Sequence, residues 1–334
     1  MEAKIVNKLL QQRKAFFHPD AIQKIFALGS LIVLLIVFSV LSPNFFTFSN
    51  LVGIMLATAV IGILALGVTF VIITGGIDLS IGTVMTFSSV IAGVFISYWH
   101  VNTLLGVIGG IVAGGLCGLV NGLLISKLRI PPFIATLGMM NVTKGLSLII
   151  TGTKPIYFTN SKVFTKISQG SVLGDIIPGF DIPNAVLIFF IVAIIASFIL
   201  TKTVLGRFNF ALGSNEEATR LSGVNVNKWK MLIYMVCGLF CGLAGILMAS
   251  RINSAQPALG PGYELEAIAA VVIGGTSLSG GTGTIFGTFI GAFIMSVLTN
   301  GLRILSVAQE WQTVVVGAVI ILAVFADTLR QRKN

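Results

Sequence analysis

Apolar runs of about 20 residues follow one another along almost the whole sequence, separated by short polar segments. Because an α-helix rises 1.5 Å per residue, about 20 residues cross the 30 Å hydrocarbon core of a bilayer. Only 10% of the 334 residues are charged, against about 25% in soluble domains. The sequence therefore predicts an all-α integral membrane protein with about ten transmembrane helices. The predicted spans cover residues 25–41, 51–73, 81–98, 104–125, 132–151, 184–201, 231–250, 264–279, 283–300 and 310–326.

The distribution of Lys and Arg predicts how these spans are oriented. If the amino terminus is cytoplasmic, 15 of the 21 Lys and Arg lie in cytoplasmic segments, as the positive-inside rule requires. Lys144 is left within the fifth span, near enough to its end for the side chain to reach the surface. The predicted parts of the chain are a basic cytoplasmic segment at 1–24, a single transmembrane domain at 25–326 with an outer loop at 152–183 and a cytoplasmic loop at 202–230, and a cytoplasmic tail at 327–334.

A carboxylate and a glycine pair interrupt the apolar sequence between the second and third spans. Asp78 follows Gly75-Gly76 and precedes Ser80, within a stretch that is otherwise uncharged from Leu51 to His100. An Asp at the centre of a spanning helix costs about 2.5 to 3.5 kcal/mol, so such groups usually face a water-filled path or a partner. We therefore expect Asp78 to be functional. The alternative is a short turn at the membrane surface, where Asp78 caps the next helix.

The same glycine pattern occurs twice. Gly75–Thr83 returns as Gly274–Thr282, with six of the nine positions identical. Paired, glycine-interrupted segments in two halves of a transporter point to a transport site at the repeat interface. The span count gives both copies the same orientation, whereas Asn121-Gly122-Leu123 and Asn300-Gly301-Leu302 fit an inverted repeat. We therefore expect one of the glycine breaks to be a half-helix or a re-entrant feature.

The cytoplasmic loop contains a short predicted helix with defined ends. Ser214 or Asn215 can cap its amino end, the carboxylates of Glu216 and Glu217 favour the positive end of the helix dipole, and Gly223 can end it. A helix of about eight residues is marginal alone in water. We therefore expect it to pack against a cytoplasmic partner, with a solvated linker as the alternative.

Several classes of function lack the residues they need. The sequence has no Gly-x-x-x-x-Gly-Lys-Ser/Thr phosphate loop and only two histidines, so it predicts no ATP hydrolysis, no catalytic site, no metal and no cofactor. The net charge of +10 is spread over short segments between apolar runs, which argues against nucleic acid. The three cysteines lie in apolar, glycine-rich stretches and are expected to be small core residues.

From about Phe45 to its carboxyl end, the sequence resembles the permease subunits of bacterial ATP-binding-cassette (ABC) importers for monosaccharides, the ribose, xylose and autoinducer-2 group. These belong to a wider family that includes branched-chain amino acid permeases. Thr219 stands where the family often has Ala. The motifs that carry the resemblance are Gly75–Gly82, Pro131–Gly138, Gly213–Asn215, Leu221–Gly223 and Ile273–Gly281.

The resemblance implies an all-α permease in the bacterial inner membrane, in contact with lipid. It also implies a second permease copy or a paralogue, a separate cytoplasmic ATPase and an extracytoplasmic sugar-binding protein. The residues implied to couple to the ATPase are Gly213, Asn215, Glu216, Glu217, Ala218, Leu221, Ser222 and Gly223. The candidates for the translocation path are Gly75, Gly76, Asp78, Ser80, Asn121, Phe133, Thr136, Asn141, Gly274, Gly275, Ser277 and Asn300.

Two alternatives remain at the level of sequence. An ion-coupled secondary transporter would use Asp78, Glu264 or Glu266 as a proton carrier. An ABC permease for branched-chain amino acids would need paired charges along its path, because the solute carries an ammonium and a carboxylate. Asp78 and Lys144 are the only pair of opposite charges available inside the predicted spans and breaks.

Overall fold

The computed structural model describes residues 19–331, apart from residues 160, 178 and 180. Within these residues the elements are nearly all helices, as the long apolar runs predict. In chain order they are α1 Pro19–Leu41, α2 Phe48–Ile73, α3 Ile81–Gly93 with a π-helical turn Val94–Tyr98, α4 Thr103–Ser126, α5 Pro132–Thr151, β1 Ile156–Tyr157, α6 Lys162–Gln169, α7 Val172–Ile176, α8 Asn184–Lys202, α9 Val204–Ser214, α10 Glu216–Leu221, α11 Val226–Ile252, β2 Ser254–Ala255, α12 Tyr263–Ile273, α13 Ile285–Ile304 and α14 Gln309–Gln331.

Eight of the described helices are long and apolar enough to cross a membrane: α2, α3 with its π-helical turn, α4, α5, α8, α11, α13 and α14. The apolar part of α1, Ile25–Leu41, is somewhat shorter. The fold class, an all-α integral membrane protein, is confirmed.

Three predicted boundaries differ from the structure. The span expected at 264–279 is wrong, because α12 has only 11 residues and is about 16 Å long, roughly half of the hydrocarbon thickness. At the carboxyl end, α14 continues to Gln331, so residues 327–331 are helical instead of a separate tail, and 332–334 lie outside the described residues. Of the predicted basic segment 1–24, residues 1–18 lie outside the described part and 19–24 begin α1.

Helix α2 lies at the centre of the bundle. It is apolar on all sides, and its residues from Thr58 to Ile73 are buried, as expected of a helix that packs in every direction. Helices α11, α13, α8 and α12 contact it. At the other extreme, almost none of α14 is buried in the single chain. The core of the molecule is therefore formed around α2, and several other spans have faces left for lipid or for a partner.

Glycines allow a close contact between α4 and α11. A Cβ atom on Gly114 or Gly118 would collide with the backbone of α11, at the carbonyl oxygens of Gly238 and Tyr234 respectively. Small residues at these positions let the two helix backbones approach closely, as is common between membrane helices.

The outer loop at 152–183 is folded onto one end of α11. Strands β1 and β2 pair antiparallel, with Ile156 opposite Ala255. The rings of Phe158 and Phe164 stack with centroids 3.9 Å apart. The Ser250 hydroxyl donates a hydrogen bond of 2.6 Å to the Phe164 carbonyl. These contacts attach the loop to α11 and to the adjacent end of α3. That the loop covers a pore or meets an extracellular partner stays a prediction.

Candidate functional site

The first glycine break is a helix end followed at once by a new helix. Gly75 has φ = +76°, and its N–H donates to the Ile72 carbonyl at 2.8 Å while the Gly76 N–H donates to the Val71 carbonyl at 3.2 Å. This pair of bonds is a Schellman motif, which needs a residue in the left-handed region after the helix, usually Gly. The chain then reverses over residues 74–80 and starts α3 at Ile81.

Asp78 is buried inside this reversal, with 3% of its surface exposed. Its Oδ1 accepts hydrogen bonds from the Ser80 N–H at 2.8 Å and the Ser80 hydroxyl at 2.6 Å. The Asn121 amide of α4 in turn donates to the Ser80 hydroxyl oxygen at 3.0 Å. Asp78 is therefore neither in lipid nor in a solvated surface turn, because its carboxylate is buried and accepts both bonds from Ser80. Its bonds form an Asx turn that fixes the entry into α3.

Further polar side chains extend this group between α3 and α5. The Thr143 hydroxyl donates to the Thr83 hydroxyl at 2.8 Å, and Thr136 lies against the Ile77 carbonyl. A Cβ on Gly76 would come within 2.5 Å of the Tyr234 hydroxyl of α11. We refer to Asp78, Ser80, Thr83, Asn121, Thr136, Thr143 and Tyr234 as the polar cluster.

Sequence reasoning missed three members of the polar cluster: Thr83, Thr143 and Tyr234. The Tyr234 hydroxyl and the side-chain Oδ1 of Asn121 are buried and have no hydrogen-bond partner among the described residues. Buried polar groups are nearly always paired. A phenol in an otherwise apolar part of α11 is a signal that sequence reasoning could have used, because buried Tyr usually seeks a polar neighbour. The two threonines give no comparable signal.

The second glycine break lies beside the first. Gly275 has φ = +94° and, with Thr276, forms the same Schellman bonds at the end of α12. The loop that follows reaches back to the end of α2, where the Gly281 N–H donates to the Ile73 carbonyl at 2.8 Å. The expectation that one break is a half-helix feature is confirmed, because α12 has only 11 residues.

A third segment of the chain, the end of α9, contacts the two breaks at this point. A Cβ on Gly213 of α9 would collide with the Ile73 carbonyl oxygen and lie 2.5 Å from the Gly281 nitrogen. We refer to Ile73, Gly213 and Gly281 as the glycine junction. It joins the end of α2, the loop after α12 and the helix that precedes α10, and only glycine fits at position 213 without a shift of backbone.

Helix α10 is short, capped and exposed. The side-chain Oδ1 of Asn215 accepts from the Ala218 N–H at 2.9 Å, and Gly223, with φ = +83°, follows the helix end. Both ends are as predicted, but Gly213 and Ser214 belong to α9 instead of the same helix. Glu217, Ala218, Leu221, Ser222 and Gly223 are exposed.

One carboxylate ties α10 to the start of α11. Glu216 Oε1 lies 3.0 Å from Arg220 Nη2, and Glu216 Oε2 lies 2.6 Å from Lys230 Nζ. The Thr219 hydroxyl also donates to the Ala211 carbonyl of α9 at 3.0 Å. Helix α10 is therefore held on both sides while its outer face stays free.

The remaining path candidates lie elsewhere. Phe133 and Asn141 are on the exposed side of α5. Asn300 donates to the Asn50 side-chain carbonyl at 3.0 Å, at the end of α2 opposite the glycine breaks. Gly274 packs against the start of α13, and Ser277 lies in the second break, where its hydroxyl oxygen accepts from the Ser279 N–H at 3.3 Å. The structure thus brings together Gly75, Gly76, Asp78, Ser80, Asn121 and Thr136, with Gly274, Gly275 and Ser277 nearby. Phe133, Asn141 and Asn300 lie outside this group.

The positions of the charged side chains bear on the other kinds of site considered from the sequence. Glu216 forms ion pairs with Arg220 and Lys230, and within the described part of the chain no group of three His, Cys, Asp or Glu side chains is placed to hold a metal. Lys144 is exposed on α5 while Asp78 is buried, so the charge pair considered for an amino acid solute is not formed.

Eight candidate spans around a buried polar cluster, with an exposed capped helix at the end of the bundle where two glycine breaks meet, define a multi-pass membrane permease. The chain belongs to the family described as the branched-chain amino acid transport system / permease component, which matches residues 50–324.

The chain is also similar to individual sugar permeases over most of its length. It is 44% identical to the ribose import permease protein of Escherichia coli (strain K12) over 308 residues, 91% of this chain and 94% of that protein. Identity to the ribose import permease protein of Bacillus subtilis (strain 168) is 42% over 323 residues, 96% of this chain and 98% of that protein. Identity to the fructose import permease protein of Rhizobium meliloti is 37% over 326 residues, 96% and 88% of the two chains. No solved structure matches the chain.

Proposed function

We propose that this chain is the membrane-spanning subunit of an ATP-driven importer that moves a monosaccharide, a ribose-like pentose or a related sugar, into the cytoplasm by alternating access. The observation that carries the proposal is the 44% identity to a ribose import permease over 91% of the chain. The exposed, capped α10 beside the glycine junction supports the ATP-driven part of it, because a six-residue helix with a free outer face is a docking element that needs a partner for stability.

The chain itself carries no nucleotide-binding motif, so ATP hydrolysis belongs to a separate cytoplasmic subunit. In this proposal Leu221 and its exposed neighbours on α10 enter a cleft of that ATPase. Leu221 is 82% exposed in the single chain, so its side chain is free to enter such a cleft. When the ATPase dimer closes, α10 moves, and the glycine junction passes the movement to α2 and to the loop after α12.

The described residues favour an uncharged solute over an ionic one. The side chains of the polar cluster are buried and do not line an open path, and the one carboxylate among them is already bonded to Ser80. A solute delivered at high local concentration by an extracytoplasmic binding protein needs only a weakly polar path that lets it leave. A branched-chain amino acid would need an opposite-charge pair, and Asp78 and Lys144 do not form one.

The remaining parts of the proposal concern assembly and orientation. Two permease copies, or this chain and a paralogue, enclose the path in the bacterial cytoplasmic membrane. Both termini and α10 face the cytoplasm, as the Lys and Arg distribution predicts, and the outer loop at 152–183 faces the binding protein.

Uptake in proteoliposomes tests the proposal. The permease is reconstituted with its co-purified ATPase, and radiolabelled ribose is added outside with a sugar-binding protein and with ATP on the side of the ATPase. We expect uptake that requires ATP and the binding protein. Uptake driven by an imposed proton or sodium gradient without ATP would instead establish the secondary transporter.

A pair of leucine variants tests the role of α10. Leu221→Asp should abolish co-purification of the ATPase and reduce uptake at least tenfold, without loss of folded permease, because the side chain is exposed. Leu128→Asp is the matched control, since Leu128 is also an exposed leucine, 61% accessible, between α4 and α5 at the same end of the bundle. Equal ATPase binding by the two variants would contradict the docking role.

A further inference from the structure

Lys144 is the one charged side chain in the central part of a candidate span. In the eight described spans, every other Lys, Arg, Asp or Glu lies within five residues of a helix end, whereas Lys144 is twelve residues from Pro132 and seven from Thr151. Its side chain is exposed on the surface of the single chain. A charge at this depth that faces lipid is costly, so such residues usually face a partner or a water-filled cavity.

The geometry of α5 prevents Lys144 from avoiding this cost by reaching the membrane surface. The nearer helix end is the carboxyl end, about 10 Å away at 1.5 Å per residue. Side chains on a helix lean toward its amino end, and that end lies about 18 Å away. The expectation from sequence that Lys144 reaches the surface is therefore not supported, whichever side of the membrane each end faces.

The exposed surface of α5 has two sectors of different chemistry. On one side lie Asn141 and Lys144, which are three residues apart and both exposed. On the other side lie Val142, Leu146 and Ile149, which are 54%, 40% and 77% exposed. Successive residues turn by about 100°, so Lys144 and Val142 are about 160° apart at nearly the same depth. We refer to the first group as the polar sector and to the second as the apolar sector.

We propose that the polar sector lines the water-filled translocation path, with a second copy of the permease on the far side, while the apolar sector faces lipid. This inference rests on the proposed function and names a surface of its path. The ammonium of Lys144 can donate three hydrogen bonds, which suits a passing sugar because each sugar hydroxyl accepts. Two copies related by a twofold axis would bring two like charges toward each other, which keeps water between them instead of a dry contact.

Thiol labelling in the assembled importer tests the inference. Cys117, Cys237 and Cys241 are first replaced by Ala, and Lys144→Cys or Val142→Cys is then introduced. A charged methanethiosulfonate reagent reacts with the thiolate, which forms in water and not in lipid. We expect Lys144→Cys to be labelled at least tenfold faster than Val142→Cys, in the nucleotide-free state, in the ATP-bound trapped state or in both.

Labelling at equal rates in both states, or labelling of Val142→Cys alone, would overturn the inference. ATP-dependent ribose uptake is measured in the same proteoliposomes, so that the two proposals fail separately. If uptake proceeds and Lys144→Cys is not labelled, the polar sector is not in the path and the proposed function stands. If uptake is absent in the cysteine-free parent that is folded and bound to its ATPase, the proposed function fails.

The uptake rate and the protein yield of Lys144→Met give a second test, because the two placements of Lys144 predict different results. If Lys144 faces the path, the variant should lower the maximal uptake rate at least threefold with normal ATPase binding, and Lys144→Arg should restore it in part. If Lys144 faced lipid, Lys144→Met would leave uptake unchanged and increase the yield of folded protein. Val142→Met serves as the control and should change neither.

Discussion

The two glycine breaks begin from the same nine-residue pattern and form different structures. Both end their helix with a Schellman motif, in which Gly75 and Gly275 take the left-handed conformation. Both then form a side-chain turn, with Asp78 accepting from Ser80 in the first break and Ser277 accepting from Ser279 in the second. The first break leads directly into α3, whereas the second continues as a loop to Thr284.

The two breaks differ in the register of the left-handed glycine and in the length of the helix that precedes it. The sequence match pairs Gly75 with Gly274, but the left-handed positions are Gly75 and Gly275, because Thr74 caps α2 while Gly274 itself caps α12. The helix before the first break spans the membrane and the helix before the second does not. The same local signal can therefore end a full span or a half-helix, since the backbone requirement at the helix end is identical.

The largest expected effect is at the glycine junction, where the two breaks depend on each other. Gly213→Ala introduces a Cβ that collides with the Ile73 carbonyl oxygen and should cost about 3 kcal/mol through backbone displacement. Loss of the thermal unfolding midpoint in detergent and loss of uptake would measure this effect. Gly53→Ala in α2 is the control, because a Cβ there meets no atom within 4 Å. Equal stability of the two variants would show that the breaks are independent.

The side-chain turns of the two breaks should differ in how much they stabilise the fold. Asp78→Ala leaves buried donors of Ser80 without an acceptor and should cost about 1–3 kcal/mol, whereas Asp78→Asn keeps a side-chain oxygen and should cost less. Ser277→Ala removes the weaker bond of 3.3 Å at a half-buried site and should cost less than Asp78→Ala. Thermal unfolding of the purified variants measures the order. Abolished uptake in a fully stable Asp78→Asn protein would instead favour a proton carrier.

The Schellman positions should behave alike. Gly75→Ala and Gly275→Ala place a Cβ in the left-handed region and should each cost about 1–2 kcal/mol, while Asn at either position should cost less because it tolerates that region better. Unfolding midpoints of the four variants test this equivalence. A large loss at Gly75 with none at Gly275 would contradict the register of one residue described above.

The smallest expected effect on stability lies outside the breaks, on α10. Glu216→Gln removes both of its ion pairs, but Glu216 and Arg220 are partly exposed, with side-chain exposures of 38% and 58%, so the change in unfolding free energy should be about 0.5 kcal/mol or less. ATPase co-purification should fall more clearly than stability does. If stability fell as much as in Gly213→Ala, α10 would be part of the structural core and not a docking element.

The sequence was sufficient for features that depend on local chemistry. The span lengths, the cap at Asn215, the end at Gly223 and the packing glycines of α4 each follow from residue type and spacing. The predicted span at 264–279 was wrong because the apolar run ends at Ile273 and is too short to cross a bilayer, and Gly274-Gly275 ends the helix there as Gly75-Gly76 does after α2.

Long-range contacts could not be predicted from one sequence. Asn121 and Asn300 occur in the same Asn-Gly-Leu motif, yet Asn121 joins the polar cluster and Asn300 pairs with Asn50 at the far end of α2. Nothing local distinguishes them, because the partner is set by helix packing. The role of Tyr234 could not be predicted for the same reason, since it depends on which side of α11 is buried.

Helix α11 has 27 residues and runs without interruption for about 40 Å. One end continues into β2, which holds the outer loop, and the other end receives the Glu216 ion pair from α10. An unbroken helix is stiff along its axis, so a displacement of one end is passed to the other. The loop at 152–183 and α10 are therefore fastened to opposite ends of one unbroken helix, so a rigid tilt of α11 would displace both.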